Sequence, residues 1–184
     1  VILQNAADVR AAGAELEVRA YPTDQLSLNF SLGYVDSTFK EFRDTRTFEG
    51  VFFDATGNQL PMTPNWTISG SIQFDQPLRS GAELFYRADI AFIDERYGVL
   101  DAGQNNHRYL LPSNTTLNAR FGYRSSDERW RLEFWGRNLT DEDAAIDRNP
   151  HPRVIPGSPN AVDVLQKATY MPPRSFGVLI GVAY

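Results

Sequence analysis

Seven segments of the chain alternate apolar and polar residues with the period of two that a β-strand imposes on its side chains. Residues 14–21 set Leu16, Val18 and Ala20 against Glu15, Glu17 and Arg19, and residues 26–39 set Leu28, Phe30, Leu32 and Tyr34 against Ser27, Asn29 and Ser31. Residues 65–75 oppose Trp66, Ile68, Ile72 and Phe74 to Thr67, Ser69, Ser71 and Gln73, while residues 82–96 oppose Leu84, Tyr86, Ile90 and Phe92 to Glu83, Arg87 and Asp89. Residues 115–124 carry Leu117, Ala119, Phe121 and Tyr123 against Asn118 and Arg120; residues 129–138 carry Trp130, Leu132 and Phe134 against Arg131, Glu133 and Arg137. The seventh, residues 175–184, turns Phe176, Val178, Ile180, Val182 and Tyr184 one way and Ser175, Gly177, Leu179, Gly181 and Ala183 the other. A helical repeat fits none of these segments as well, so the chain reads as all-β and antiparallel.

The links between segments alternate too. Pro22–Gln25, Gln76–Gly81 and Ser125–Glu128 are short and made of turn residues, whereas 40–63, 97–113 and 139–173 are long and rich in Gly, Pro and Asn. Short turns at one rim and long loops at the other are the layout of an up-and-down transmembrane β-barrel. If the short turns are periplasmic, the seventh strand runs downward. Phe74, Tyr123, Trp130 and Tyr184 then fall near the periplasmic rim, and Tyr34, Trp66, Phe92 and Phe176 near the outer rim, as two aromatic girdles. The charged alternate positions suit a hydrated lumen, where they can pair across strands. Bacterial single-chain barrels use even strand numbers, so a count of seven predicts further strands before Val1.

Composition narrows the functional classes. The 184 residues include no cysteine, which removes disulfides, thiolate metal sites and thiol nucleophiles. A net charge of -5 with no basic patch argues against nucleic acid. Mean hydropathy is only -0.39, and no run of about 18 apolar residues exists to form a transmembrane helix. A water-filled barrel accommodates both observations, because only alternate residues meet lipid. The start, VILQNAADVR, lacks the features of a signal peptide and reads as an internal cut or a processed end.

Three stretches resemble the C-terminal part of TonB-dependent outer-membrane receptors. Gly13–Phe39 is similar to that family's recurrent strand, aromatic-x-Pro turn and strand; Arg131–Ala144, with its N-L-x-D exit, resembles the penultimate strand; Pro172–Tyr184 resembles the P-x-R-x-F-G closing strand. Ser175, Gly177, Ile180, Val182 and the terminal aromatic Tyr184 also fit the signal that outer-membrane assembly machinery recognises, although Tyr replaces the usual Phe. The resemblance implies that residues 1–184 are the C-terminal part of a 22-strand receptor barrel in a Gram-negative outer membrane. The plug domain and the motif that engages the TonB energy-coupling protein would lie in an N-terminal region not contained here. The function it implies is energy-coupled uptake of a scarce nutrient such as a ferric siderophore.

No catalytic constellation is present, and the chain is not expected to be an enzyme. His107 and His151 lie in different long links with no spaced carboxylate or nucleophile. Asp141, Glu142, Asp143 and Asp147 lack the alternating ligands and turn glycine of a calcium loop, so no metal or cofactor is expected. The Asn-x-Thr triplets at Asn65, Asn114 and Asn138 are formal glycosylation sequons without meaning in a bacterial setting. Binding is the better chemistry. Aromatic and cationic side chains suit anionic, ring-bearing chelates, and the candidates are Tyr97, His107, Arg108 and Tyr109 in one loop, Trp135 and Arg137 on the lumen face, and Arg148, His151 and Arg153 in the last loop. Two other readings use the same pattern: a soluble, lipocalin-like binding module with its apolar face inward, and a small passive porin.

Overall fold

The computed structural model describes the backbone of residues 8–43, 45–46, 52–99, 109–155 and 158–183, and side chains for these except 45–46, 52–53, 149–155 and 158–166. Seven long strands form one antiparallel sheet: β1 (Asp8–Thr23), β2 (Leu26–Glu41), β5 (Trp66–Pro77), β6 (Glu83–Ile93), β9 (Asn114–Arg124), β10 (Trp130–Arg137) and β13 (Ser175–Val182). They are hydrogen-bonded in chain order, each to the next. All seven coincide with the alternating segments, the first reaching further toward the N-terminus than the pattern indicated.

Register separates the two faces across the whole sheet. Leu32 stands opposite Leu16 and Ile68, and Ile90 opposite Gly70 and Leu117, on one face. On the other, Asn29 lies between Arg19 and Ser71, and Asp89 between Ser71 and Asn118. The apolar face carries an in-register aromatic row, Phe74–Tyr86–Phe121–Phe134, with successive ring centroids 6.4, 5.1 and 6.4 Å apart. Phe74, Tyr86, Phe121 and Phe134 are each at least 40% exposed, so none of the described residues covers this face. Tyr34 and Trp66 pair toward the opposite rim at 4.6 Å.

The turns at one rim are tight. Asp24 and Gln25 alone join β1 to β2. In the second turn Leu78 N–H donates to Ala82 O (2.8 Å), and Gly81 takes a φ of 82° that favours glycine. The third, Ser125–Arg129, is stapled by side chains. Ser125 Oγ donates to Asp127 Oδ1 (2.6 Å) and accepts from Trp130 N–H (2.8 Å), while Arg129 N–H donates to the same carboxylate (3.2 Å).

The long links are not structureless. They hold three antiparallel pairs, the first two short and the third long: β3 (Thr45–Arg46) with β4 (Phe52–Phe53), β7 (Arg96–Tyr97) with β8 (Leu110–Leu111), and β11 (Ala145–Ile155) with β12 (Ser158–Tyr170). The expectation that 139–173 is a plain loop is therefore corrected to a hairpin. Pro150, Pro152 and Pro159 disguise it in the sequence, and an isolated two-stranded hairpin tolerates them because each strand has a free edge. Most of the buried apolar side chains belong to these links or, with Phe39, to the end of β2 that meets them: Phe39, Ala55, Tyr109, Leu111, Ala144 and Ala145.

Candidate functional site

The polar face of the sheet is a wall of paired charges. Arg87 donates twice to Asp89 and once, at 3.4 Å, to Gln73 Oε1. Arg124 pairs with Glu83 at 2.7 Å across β9 and β6. Glu133 is buried between two cations: Arg131 on its own strand at 2.6 Å and Arg120 on β9 at 3.9 Å. Phe85 sits among them, 3% exposed on an otherwise charged face. It fits because Gly122 lies opposite it, and the Arg124 and Arg131 guanidiniums cover its ring at 4.8 and 5.6 Å. Its place on the polar face could not be read from alternation.

Trp135 and Arg137 occupy one end of this wall, with the guanidinium 5.0 Å from the indole centroid. Trp135 lies over Gly177, where an added Cβ would overlap its ring. A flat aromatic with a cation stacked on it offers a surface for a planar anionic group.

Above the wall, the bases of the three long links meet. Leu60 N–H donates to Ser37 O (3.3 Å) and Met62 N–H to Tyr97 O (2.7 Å), joining the first link to β2 and to the second link. Met62 adopts a left-handed φ of 58° between Pro61 and Thr63–Pro64. Gln59 braces the bend, its amide donating to Thr63 O (2.6 Å) and Asn65 Oδ1 (2.8 Å). Gly98 N–H donates to Tyr109 O (2.8 Å), and Gly98 lies close enough to the Arg148 backbone that an added Cβ would stand 3.1 Å from its carbonyl oxygen. Tyr97, Tyr109 and Arg148 are thus brought together from two links, with the Tyr109 side chain buried.

Three residues that the sequence reading passed over as binding candidates lie at this rim. Ser37 Oγ, Arg96 Nη1 and Asn114 Nδ2 are buried with no hydrogen-bond partner. Arg96 is opposite Leu111 on β8, and Asn114 is opposite Ile93 at the end of β6, so both flank the same strand junction. Arg96 is 7% exposed, and burial lowers its pKa. A buried guanidinium with an open donor favours an anionic oxygen. No local signal marks these residues, since their burial depends on links far apart in sequence.

The remaining candidates fall elsewhere. His107, Arg108 and Tyr184 lie outside the described residues; the backbone of His151 and Arg153 is on β11, but their side chains lie outside the description. Among the described residues no group of three or more His, Asp or Glu could hold a metal ion. The acidic run has another occupation: Asp141 Oδ1 accepts from Arg174 N–H (3.3 Å) and its other oxygen pairs with the Arg174 guanidinium (3.3 Å). Of the assembly residues, Ser175, Gly177, Ile180 and Val182 pair with Arg137, Trp135, Leu132 and Trp130.

Comparison with known proteins agrees with this architecture. The ferric yersiniabactin uptake receptor FyuA from Yersinia pestis superposes with a TM-score of 0.69 at 17% identity, over 97% of this chain and 24% of that one. The siderophore receptor PiuA from Acinetobacter baumannii gives 0.68 at 20% identity, over 96% of this chain and 22% of that one. This chain therefore spans about a quarter of the length of these receptors, and the likeness establishes a shared fold. A model of the family described as TonB dependent receptor-like, beta-barrel, matches residues 1–139. With that match the apolar face is assigned to lipid and the polar face to the lumen, and the soluble lipocalin-like reading is set aside: the chain belongs to the TonB-dependent receptor β-barrel family of Gram-negative outer-membrane receptors, which are not enzymes.

Proposed function

We propose that this chain is the C-terminal part of the barrel of an energy-coupled uptake receptor, supplying its last strands and outer loops for a ferric siderophore or similar anionic chelate. The observation that carries the ligand class is the buried Arg96, whose Nη1 lacks an acceptor at the junction where the loop bases meet. Trp135 with its stacked Arg137 adds a second aromatic and cationic surface lower on the lumen wall. Tyr97 and Arg148 are the ligand contacts closest to Arg96 in the chain's topology, Tyr109 being buried as their support, with His107, Arg108, His151 and Arg153 as further contacts from the same links. In this reading the 22-strand barrel is completed by strands and a plug before Val1, and the TonB energy-coupling protein engages that N-terminal region. Outer-membrane assembly machinery would read Ser175, Gly177, Ile180, Val182 and Tyr184.

The test is uptake of radiolabelled ferric chelates by cells whose sole receptor of this kind is the complete protein. Accumulation should cease when the proton gradient is collapsed, while surface binding persists and weakens at least ten-fold in Arg96→Gln. Uptake that continues without the gradient and scales linearly with concentration would establish the passive porin instead.

A further inference from the structure

The rim above the lumen wall holds donors without acceptors. The wall arginines Arg87, Arg120, Arg124 and Arg131 each pair with a carboxylate, although their side chains are between 33% and 47% exposed and water could serve instead. Arg96 is only 7% exposed, and its Nη1 has no hydrogen-bond partner. Burial lowers its pKa, and among the described residues no carboxylate raises it. Asp94, close by in the chain, turns one oxygen back to the Glu95 amide (2.9 Å). A buried cation is costly until an anion completes it.

Two more buried donors share this junction. Asn114 stands opposite Ile93 where β6 and β9 meet the rim, and Arg96 stands opposite Leu111 where β7 and β8 continue, so the same three-residue step separates Asn114 and Arg96 on both segments. Ser37 reaches the junction through the first link. Leu60 N–H donates to Ser37 O and Met62 N–H to Tyr97 O. Two residues of chain span at most about 7 Å, so the backbone beside Ser37 and that beside Arg96 are bridged by one short step. Asn114 Nδ2 and Ser37 Oγ are, like Arg96 Nη1, buried without partners.

We propose that Arg96, Asn114 and Ser37 bind a carboxylate that the chelate keeps free of iron, so that the receptor takes chelates bearing such a group in preference to those whose anionic oxygens all hold the metal. All three open atoms can donate, and together they carry one positive charge, so their complement is a monoanion rich in acceptors. A carboxylate has that charge, and its two oxygens lie in the plane that a guanidinium fork matches. An oxygen bound to iron has given a lone pair and much of its charge to the metal. A phosphate dianion would bring a second charge that these donors do not balance. That the carboxylate belongs to a ferric chelate rests on the uptake reading; the donor set itself does not.

Thermal unfolding of the complete receptor, titrated with succinate or with its uncharged isostere succinamide, tests the site without iron or uptake. Succinate should raise the midpoint and succinamide should not. Arg96→Gln should weaken the apparent affinity for succinate about ten-fold or more, the loss of a charge-assisted bond. Arg96→Lys keeps the charge without the fork and should fall between. Asn114→Asp sets a carboxylate of the protein beside Arg96; it should raise the midpoint of the unliganded receptor and remove the succinate response, and it serves if Arg96→Gln does not fold. Equal responses to succinate and succinamide, a stronger response to inorganic phosphate, or an Asn114→Asp variant that still responds overturn the proposal. So does a wild-type receptor that ignores succinate and is destabilised by Asn114→Asp, because a carboxylate elsewhere in the complete protein would then already meet Arg96. If succinate binds as described but energised cells accumulate no ferric chelate, the uptake reading fails and the site remains. If gradient-driven uptake is equal for a ferric chelate with a free carboxylate and for its methyl ester, the site fails and the uptake reading remains.

Discussion

Trp135 and Gly177 are cross-strand partners, and the indole occupies the space in which a side chain at 177 would stand. Glycine at 177 is thus required by a neighbour on the lumen wall, independently of any role in assembly. Gly177→Ala should cost about 1–3 kcal/mol, the range for overpacking a filled site. Gly181→Ala, whose Cβ would meet only Arg131 Cβ at 3.6 Å, should be tolerated. Heat-dependent gel mobility of the folded barrel distinguishes the two, and equal losses would remove the packing explanation.

Asn138 carries more of the upper rim than Arg174 does. Its φ is 51°, its amide donates to Glu142 O (2.8 Å) and Pro172 O (2.9 Å), and its carbonyl accepts from Glu142 N–H (2.9 Å) and Thr140 Oγ (3.2 Å). Asn138→Ala abandons these bonds in a buried position and puts alanine in a left-handed conformation that asparagine, with its locally bonding amide, tolerates better. A loss of about 2–4 kcal/mol is expected from unsatisfied groups and backbone strain together. Arg174→Gln breaks a half-exposed pair and should cost less than about 1 kcal/mol. Denaturant midpoints of the two variants should differ accordingly.

The buried carboxylate on the lumen wall responds differently to two substitutions. Glu133→Ala leaves Arg131 and Arg120 close together without their shared anion and should destabilise by about 2 kcal/mol, less than a fully buried pair because both arginines are about half exposed. Arg131→Met in the same background removes one of the repelling charges and should recover part of the loss. A double-mutant cycle on unfolding free energy measures the coupling.

Acid should loosen the short turn between β9 and β10. The Ser125 hydroxyl and the Arg129 amide hold the Asp127 carboxyl below its ordinary value of 3.8. A depressed folded-state pKa stabilises above the unfolded value and is lost as pH falls through the folded one, so the contribution disappears below pH 3.8. Asp127→Asn should flatten this part of the acid stability profile and leave neutral-pH behaviour little changed. A wild-type profile identical to that of the variant would show that the staple has no role in acid sensitivity.

The strands were legible because each has one face in lipid and one in water, which writes an alternating pattern directly into the sequence. Where that contrast fails, so does the reading. Phe85 is apolar on the polar face and is explained only by Gly122 and two arginines from other strands. The β11–β12 hairpin was hidden because Pro150 and Pro152 break the pattern without breaking an edge strand. Trp135 and Arg137 could be placed from alternation, being inside a strand. The burial of Ser37, Arg96 and Asn114 could not, since it arises where separate links converge and no local window contains the partners.

The lateral bonds between loop bases have a mechanical meaning. Met62 is tied to Tyr97, and Gly98 rests against Arg148, so neighbouring loops share anchorage at the rim instead of hinging alone. Force applied to one loop is passed sideways to the next before it reaches the strands. The crown of this barrel segment behaves as a linked collar whose members yield together, and shortening one loop would change the stiffness felt at the others.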